Sequence, residues 1–569
     1  MKSIVDWLVE PVADTSLTFY QGSEWRSTGY PVLARESLGV ANRLRDREIR
    51  KSDRVAIILP TGRDFVRYFF GALALGAIPT VIAPPGLHGT VSYPEYVATL
   101  LGALAPRAVI AEAQTLALLP DDPAGPQRID TAEPVGESID TTIDPALGED
   151  ISIIQFTSGS TRAPRAVCLS SAAVVAHIEM LKTVFRDRPA DDPDSFGSWL
   201  PMHHDMGLIG TFLTPVSHCK DVWLMRPEQF VRRPLLWLEL FGRHGVNHSA
   251  SPNFALERIV RVVSPKSLAG MDFSTWRTVI IGSDRINIGA LRALHDLLGP
   301  FGLRADALKP GYGMAETTLA VSTTGPGESP HALLVDGTKF RAGEAVPVLG
   351  RESLEPVTGD DADAVRVVGC GEPLPGARVL VTDDAGESLP EGRVGELVVE
   401  SPAIFSGYLE DGASVPIAAS NRRHHTGDLG FLRDGQIYVL GRLGNSVKIN
   451  GNFVTAEDVE MALAERLGLH HDKVTAVLRD LDEPNTAAAL LIFQQRVPPE
   501  KVAAALGVLT RMGLPADHAA LTVIAPLAVP RTTSGKPKRA ELWQLLDNGE
   551  VTARVCHVGT RSPLRERLR

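Results

Sequence analysis

The stretch QFTSGSTRAPRAV, Gln155 to Val167, follows a short apolar run, Ile151 to Ile154. An apolar run bounded by turn residues reads as a buried strand. Seven residues of the stretch are Ser, Thr, Gly or Arg. Backbone N–H groups in such a loop can form an anion nest, and the hydroxyls add donors. Arg165 contributes a fixed positive charge. The loop is not of the GxxxxGK[ST] type, whose spacing differs.

Strand-like and helix-like segments alternate on the N-terminal side of this loop. DRVAIILP (Asp53–Pro60) reads as a buried strand and RDFVRYFFGALALG (Arg63–Gly76) as a helix with a glycine stop. IPTVIAP (Ile78–Pro84) and AVIAEA (Ala108–Ala113) read as further strands. The rhythm predicts an α/β fold with largely parallel sheets. Leu118 to Asp150 is rich in Pro, Asp, Gly and Thr and reads as a surface connection. The C-terminal part differs. TAEDVEMALAERLG, from Thr455, reads as an amphipathic helix with Thr455 and Asp458 as a capping pair. DKVTAVLRD, AAALLIFQQ and LTVIA then read as strands, with a last helix near Lys538–Leu546. That is a small, self-contained α+β unit beside a large N-terminal domain of layered sheets and helices. The expected boundaries are 1–441, a hinge at 442–446, and 447–569.

The chain has 569 residues, 44% of them hydrophobic, too many for one core. A net charge of −11 speaks against a nucleic-acid partner. The four Cys form no CxxC pair, which fits a reducing, cytoplasmic setting. MKSIVDWLVEPVAD carries acids within its apolar run, unlike a signal peptide. Phe65–Ala83 is broken by Arg67 and Pro79, so no transmembrane segment is expected.

Four further segments carry chemistry-bearing residues in order. GYGMAETT (Gly311–Thr318) holds Glu316, HHTGDLGFL (His424–Leu432) holds Asp428, VLGRL (Val439–Leu443) holds Arg442, and PRTTSGKPKR (Pro530–Arg539) holds Lys536. Together with the opening loop they resemble the adenylate-forming (ANL) superfamily of acyl-CoA synthetases, adenylation domains and luciferases, over nearly the whole chain. The resemblance implies ATP and Mg²⁺, and that the small C-terminal α+β unit is mobile. Thr157, Ser158, Gly159, Ser160, Thr161 and Arg165 would then wrap the β- and γ-phosphates, with Arg165 where Lys is commoner. Glu316 would be the metal carboxylate, Asp428 the ribose acceptor, and Arg442 a neighbour of ribose and phosphate. Tyr312 would stack on adenine, with Gly311, Gly313, Met314 and Thr317 beside it. Gly282, Ser283 and Asp284 would line the adenine pocket. Lys536 and Mg²⁺ would offset the repulsion between an attacking carboxylate and the α-phosphate.

WLPMHHDMGLIG (Trp199–Gly210) narrows the branch. The adjacent His-His-Asp lacks the i, i+4 spacing of a helical metal site. It resembles the HDMGLIG signature of fatty acyl-AMP ligases, which places His204 at the junction of acyl group and phosphate. SPNFAL (Ser251–Leu256) and GCGEPLPG (Gly369–Gly376) resemble the same branch. More than fifty residues separate Glu316 from Cys370. The excess, Thr323–Val368, matches an insertion that in this branch restrains the C-terminal domain and disfavours CoA thioester formation. The hinge departs from the branch's GRxKD: here it reads GRLGN, with Gly444 and Asn445. Asn tolerates unusual backbone conformations, so an altered balance between two domain positions is expected. The implied activity joins a fatty acid to AMP and hands the acyl group to a separate acyl carrier protein, the chain having no carrier motif near its end. An acyl-CoA synthetase, an aryl or amino-acid adenylating enzyme, and a nonenzymatic adenylate- or lipid-binding regulator stay open on the sequence.

Overall fold

Arg54–Ile58 is buried from its second residue onward, as a strand covered on both faces must be. In the computed structural model it lies inside an eight-stranded sheet. The structure describes residues 1–86, 92–120, 122, 125–133, 142–157, 164–185, 194–336, 340–355, 364–410, 413–416, 422–449, 452–469, 473–481, 486–531 and 536–568. Ile151–Phe156, Ile78–Val81, Arg54–Ile58, Ala108–Ala111 and Gln127–Asp130 run parallel across this sheet. Ala166–Ser170 and Gly407–Glu410 continue it antiparallel. Gln127–Asp130 corrects the reading of 118–150 as mere connection: Ile129 is fully buried there. Arg63–Ala74 is a helix and buries four aromatic rings, Phe65, Tyr68, Phe69 and Phe70. It ends at Gly76, at φ +77°, where a Cβ would meet Asp144 O at 2.3 Å.

A nine-stranded sheet packs alongside. Its parallel centre runs Leu308–Gly313, Thr278–Gly282, His248–Pro252, Ser195–Ser198, Asp221–Leu224 and Ser16–Gln21. Antiparallel strands at both edges, Ala320–Thr323 and Glu24–Gly29, continue it. One apolar core lies where Phe65, Phe69, Leu208, Phe212 and Val167 meet. A second gathers around Trp237, Phe241 and Trp276, the last two stacked at 3.8 Å. A four-stranded antiparallel sheet follows, from Arg378–Thr382 through Arg423–Arg433 to Gln436–Arg442. The fold is thus α/β, with more antiparallel pairing than the sequence rhythm predicts.

Within 323–368, Ala332–Asp336 pairs antiparallel with both Val348–Glu352 and Ala364–Val368, so this segment is a small sheet rather than a loop. Its Phe340 carbonyl accepts from Phe453 N–H at 2.7 Å, and Arg341 Nε donates to Asn452 Oδ1 at 3.1 Å. Past residues 442–446, Val474–Asp480, Ala487–Phe493, Ala519–Val523 and Arg554–Val558 form a four-stranded sheet with its own apolar cluster around Leu463, Leu491 and Leu509. The last strand has no counterpart in the sequence reading. Ala456–Leu467 is a helix capped by Thr455, whose hydroxyl accepts from Asp458 N–H at 3.1 Å. Among the described residues no helix is long and apolar enough to cross a membrane.

Candidate active site

The carboxyl end of Ile151–Phe156 in the eight-stranded sheet and the strands His248–Pro252, Thr278–Gly282 and Leu308–Gly313 of the nine-stranded sheet line one cavity of about 1380 Å³. Strand ends at a sheet crevice are where α/β folds bind ligands. Thr157 and Arg165 are held together at the ends of Ile151–Phe156 and Ala166–Ser170. Thr157 N–H donates to the Arg165 carbonyl at 2.9 Å, and Arg165 N–H to Thr157 Oγ1 at 3.2 Å. Ser158, Gly159, Ser160 and Thr161 lie outside the described residues. Arg165 places its guanidinium 3.2 Å from the centre of the Tyr408 ring. The Tyr408 hydroxyl donates to Glu316 Oε1 at 2.8 Å. Cation, ring and carboxylate are thereby fixed as one unit, which holds Glu316 in place. Burial, with Glu316 next, drives the Tyr408 hydroxyl well above its ordinary pKa, so it stays a donor.

At the nucleotide-sized end, Tyr312 closes the strand Leu308–Gly313 and gives its hydroxyl to Asp428 Oδ2 at 2.7 Å. Arg442 Nε donates to Asp428 Oδ1 at 3.0 Å across the neighbouring antiparallel strand. Burial pushes the Asp428 carboxyl up, opposed by Arg442 and the Tyr312 hydroxyl. A carboxylate has about four acceptor positions. Two are used here, which leaves room for a vicinal diol. Gly282, Ser283 and Asp284 line the same wall, with Ser283 at φ +76°, a rare conformation for a residue with a side chain. The Ser283 carbonyl accepts from the Lys536 ammonium, which also lies 3.3 Å from Asp284 Oδ1. Lys536 thus arrives from the C-terminal unit and completes the wall.

His204 and Asp205 begin the opposite wall. Asp205 Oδ1 lies 2.6 Å from His204 Nδ1 and accepts Met206 N–H at 2.7 Å. Burial acts to raise the Asp205 carboxyl, but His204, the Met206 N–H and Lys536 outweigh it, and its pKa falls. Met206 N–H also lies 3.3 Å from His204 Nδ1, so the backbone fixes both side chains. The chain then enters a π-helix, Met206–Leu213. A Cβ at Gly207 would meet Pro201 O at 2.2 Å, and one at Gly210 would meet Leu319 Cδ2 at 2.9 Å. The glycines of HDMGLIG therefore let this helix press against the wall. Beyond it the cavity continues as an apolar arm between Leu181, Phe185, Phe196, Ala250 and Phe254.

Gly311, Gly313 and Met314 also line the cavity, as do Gly444 and Asn445. Thr317 does not: it is 1% exposed, and its hydroxyl donates to the Met314 and Leu319 carbonyls, holding the turn that presents Glu316. Asn445 occupies a single turn of 3₁₀ helix without positive φ, so its backbone is ordinary. Its side chain acts instead, donating to Glu457 Oε1 at 3.2 Å, and Arg539 pairs with the same oxygen at 3.1 Å. Sequence reasoning missed Tyr408, Arg285, Glu457 and Gln155. Arg285 follows the Gly282–Asp284 loop and forms a buried ion pair with Asp458 of the C-terminal unit. No cluster of three or more His, Cys, Asp or Glu that could cage a metal occurs among the described residues. Glu316 alone, with one oxygen left beside the Tyr408 bond, fits a Mg²⁺ that takes its other ligands from phosphates and water.

Comparison with known proteins agrees with this geometry. An acyl-CoA synthetase by name from Caulobacter vibrioides is 31% identical over 558 residues, covering 93% of this chain and 92% of its own. The long-chain-fatty-acid–AMP ligase FadD26 of Mycobacterium tuberculosis is 29% identical over 518 residues, 86% of each chain. A solved structure from work on fatty acyl-adenylate ligases of E. coli and L. pneumophila matches with TM-score 0.84 and 29% identity, over 97% of this chain and 98% of that one. The model of the AMP-binding enzyme family matches residues 9–409, and the chain belongs to that family, within the adenylate-forming superfamily.

Proposed function

We propose that this protein is a fatty acyl-AMP ligase: it activates a fatty acid with ATP and Mg²⁺ and passes the acyl group to the phosphopantetheine thiol of a separate acyl carrier protein. The observation that carries the reading is a single cavity with a charged, hydroxyl-accepting end and an apolar arm, joined at His204 and closed by Lys536. ATP would lie with its adenine between Tyr312 and the Gly282–Asp284 wall and its ribose hydroxyls on Asp428, beside Arg442. Its β- and γ-phosphates would lie beside Thr157 and Arg165, against residues 158–161. Mg²⁺ on Glu316 would draw charge from the phosphates. One oxygen of the fatty carboxylate forms a bond to the α-phosphorus. The bond from that phosphorus to the bridging oxygen breaks, and its electron pair leaves with pyrophosphate. Lys536 stabilises the charge that develops, and no side-chain nucleophile is needed.

In the second step the carrier thiol attacks the acyl carbonyl and AMP leaves. For that step we infer that the unit 447–569 swings about 442–446. The contacts of Phe340 and Arg341 with the 452–453 strand support a role for the insertion in limiting that swing. A cytoplasmic location accords with the free cysteines, of which Cys168, Cys219 and Cys370 are buried. The test incubates the protein with ATP, Mg²⁺ and a labelled fatty-acid series, with and without CoA. Accumulating acyl-AMP that CoA does not consume is the expected result. Rapid acyl-CoA formation would make it a CoA synthetase, and adenylates from aryl or amino acids alone would reassign the substrate. Failure to form any adenylate would favour a binding regulator.

A further inference from the structure

Gln155 breaks the pattern of its strand. On the face it shares with Ile153, and with Val167 and Leu169 opposite, the other three side chains belong to the apolar core. Gln155 is 4% exposed, lines the cavity, and has no hydrogen-bond partner at either Nε2 or Oε1. Other hydroxyls on the wall are satisfied within the protein. Thr211 donates to Ser198 at 2.8 Å, Ser249 accepts from Trp276 at 3.1 Å, and Ser322 donates to the Cys370 carbonyl at 2.8 Å. An amide left unpaired in a dry wall destabilises the protein that carries it. Its retention points to a partner that arrives with the ligand.

The position says which ligand group. Gln155 stands two residues before Thr157, on the strand that delivers the phosphate-side turn. Its face packs into the core that holds Leu208 and Ile209 of the π-helix, against Ala315 and Leu319 on either side of Glu316. Gln155 lines the same cavity as Thr157, His204 and Glu316 on the polar side and Leu181 and Phe185 on the apolar side. A carboxylate offers only acceptors, to which a carboxamide can present its N–H.

We propose that Gln155 is a substrate-positioning residue whose Nε2–H donates to the fatty carboxylate oxygen that does not attack. That oxygen becomes the carbonyl oxygen of the acyl adenylate, so the same hydrogen bond persists from substrate to product. The inference rests on the proposed fatty-acid adenylation. It adds a fixed rotation of the carboxylate, so that one oxygen alone faces the α-phosphorus.

The test compares wild type with Gln155→Met and Gln155→Leu, which keep volume and remove the amide. Expected are a ten- to hundredfold fall in kcat/KM for fatty acid, a KM for ATP within twofold of wild type, and an equal loss of affinity for an acyl-sulfamoyl-adenosine with AMP affinity unchanged. The ligand-free variants should melt no lower than wild type, because an unpartnered amide has been removed. A purely structural role gives the opposite signature: a lower melting point and parallel losses for every ligand. That pattern, or wild-type kinetics in both variants, overturns the assignment. A wild-type protein that forms no acyl adenylate overturns the function and this assignment together.

Discussion

Replacing Asp458 by Ala should slow adenylate formation about thirtyfold while leaving the thiol-transfer step unharmed. Asp458 and Arg285 are 4% and 10% exposed, and they join the C-terminal unit to the loop after Ser283. Removing one member of a buried pair costs roughly 3–5 kcal/mol where the other stays buried. Here the survivor would regain water in the open position proposed for the second step, and Arg285 keeps the Leu440 carbonyl at 3.3 Å. About 2 kcal/mol of closing energy is therefore at stake, close to thirtyfold at 1.4 kcal/mol per factor of ten. ATP–pyrophosphate exchange reads the first step. Thioester formation from preformed acyl-AMP reads the second. Arg285→Ala should match Asp458→Ala, the double variant should be no worse than either, and the exchanged pair Arg285→Asp with Asp458→Arg should recover part of the rate. Additive losses, or a wild-type exchange rate in Asp458→Ala, would refute the latch.

Lys536→Ala should lower adenylation a hundredfold or more while nucleotide binding survives, measured by exchange and by calorimetry with AMP. His177 is fully buried, its Nε2 accepts Ala320 N–H at 3.1 Å, and burial lowers its pKa from the usual 6.5 to about 3. It stays neutral when folded, whereas the unfolded chain protonates below 6.5. Its stabilising effect is thus complete above that pH and is lost as pH falls toward 3. Urea titrations between pH 6 and 4 should show His177→Gln with a slope shallower by up to about 1.4 kcal/mol per pH unit. Cys168, Cys219 and Cys370 are buried, and burial pushes the Cys370 thiol up to about 12. A thiol reagent on the native protein should find one fast-reacting group, Cys556, and more than one would mean that a core opens readily.

Strong local signals in the sequence correspond to observed elements. The buried strands are mostly apolar, the helix Arg63–Ala74 is apolar from Phe65 onward apart from Arg67, and the helix after Thr455 has its cap written in two residues. Gln127–Asp130 and Arg554–Val558 escaped because only four or five residues, half of them polar, pair at a sheet edge. The antiparallel sheet within 332–368 lacks close turn signals, since its strands are joined by long connections. In the site, the motif residues were legible as side chains suited to phosphate, ribose and metal. Tyr408, Arg285 and Glu457 were not, because each acquires its meaning from a partner on a distant segment. Asn445 was noticed for its backbone tolerance, and its side-chain bond to Glu457 depends on the following helix. Gln155 stood in the opening stretch itself, yet an amide in a strand gives no sign of being unpartnered until its neighbours are placed.

Lys536 reaches Ser283 and Asp284 across a junction of a few residues at 442–446. A short tether holds its cargo at an effective concentration in the millimolar range. The C-terminal unit can therefore be viewed as a leash that keeps one ammonium group near saturation at the cavity. Cut at the tether, the two pieces would meet as separate molecules at micromolar levels, and the lysine would be absent for most of the time. The rate of such a split protein, titrated against its own C-terminal fragment, would then measure in molar units how much of the catalysis is owed to the covalent connection.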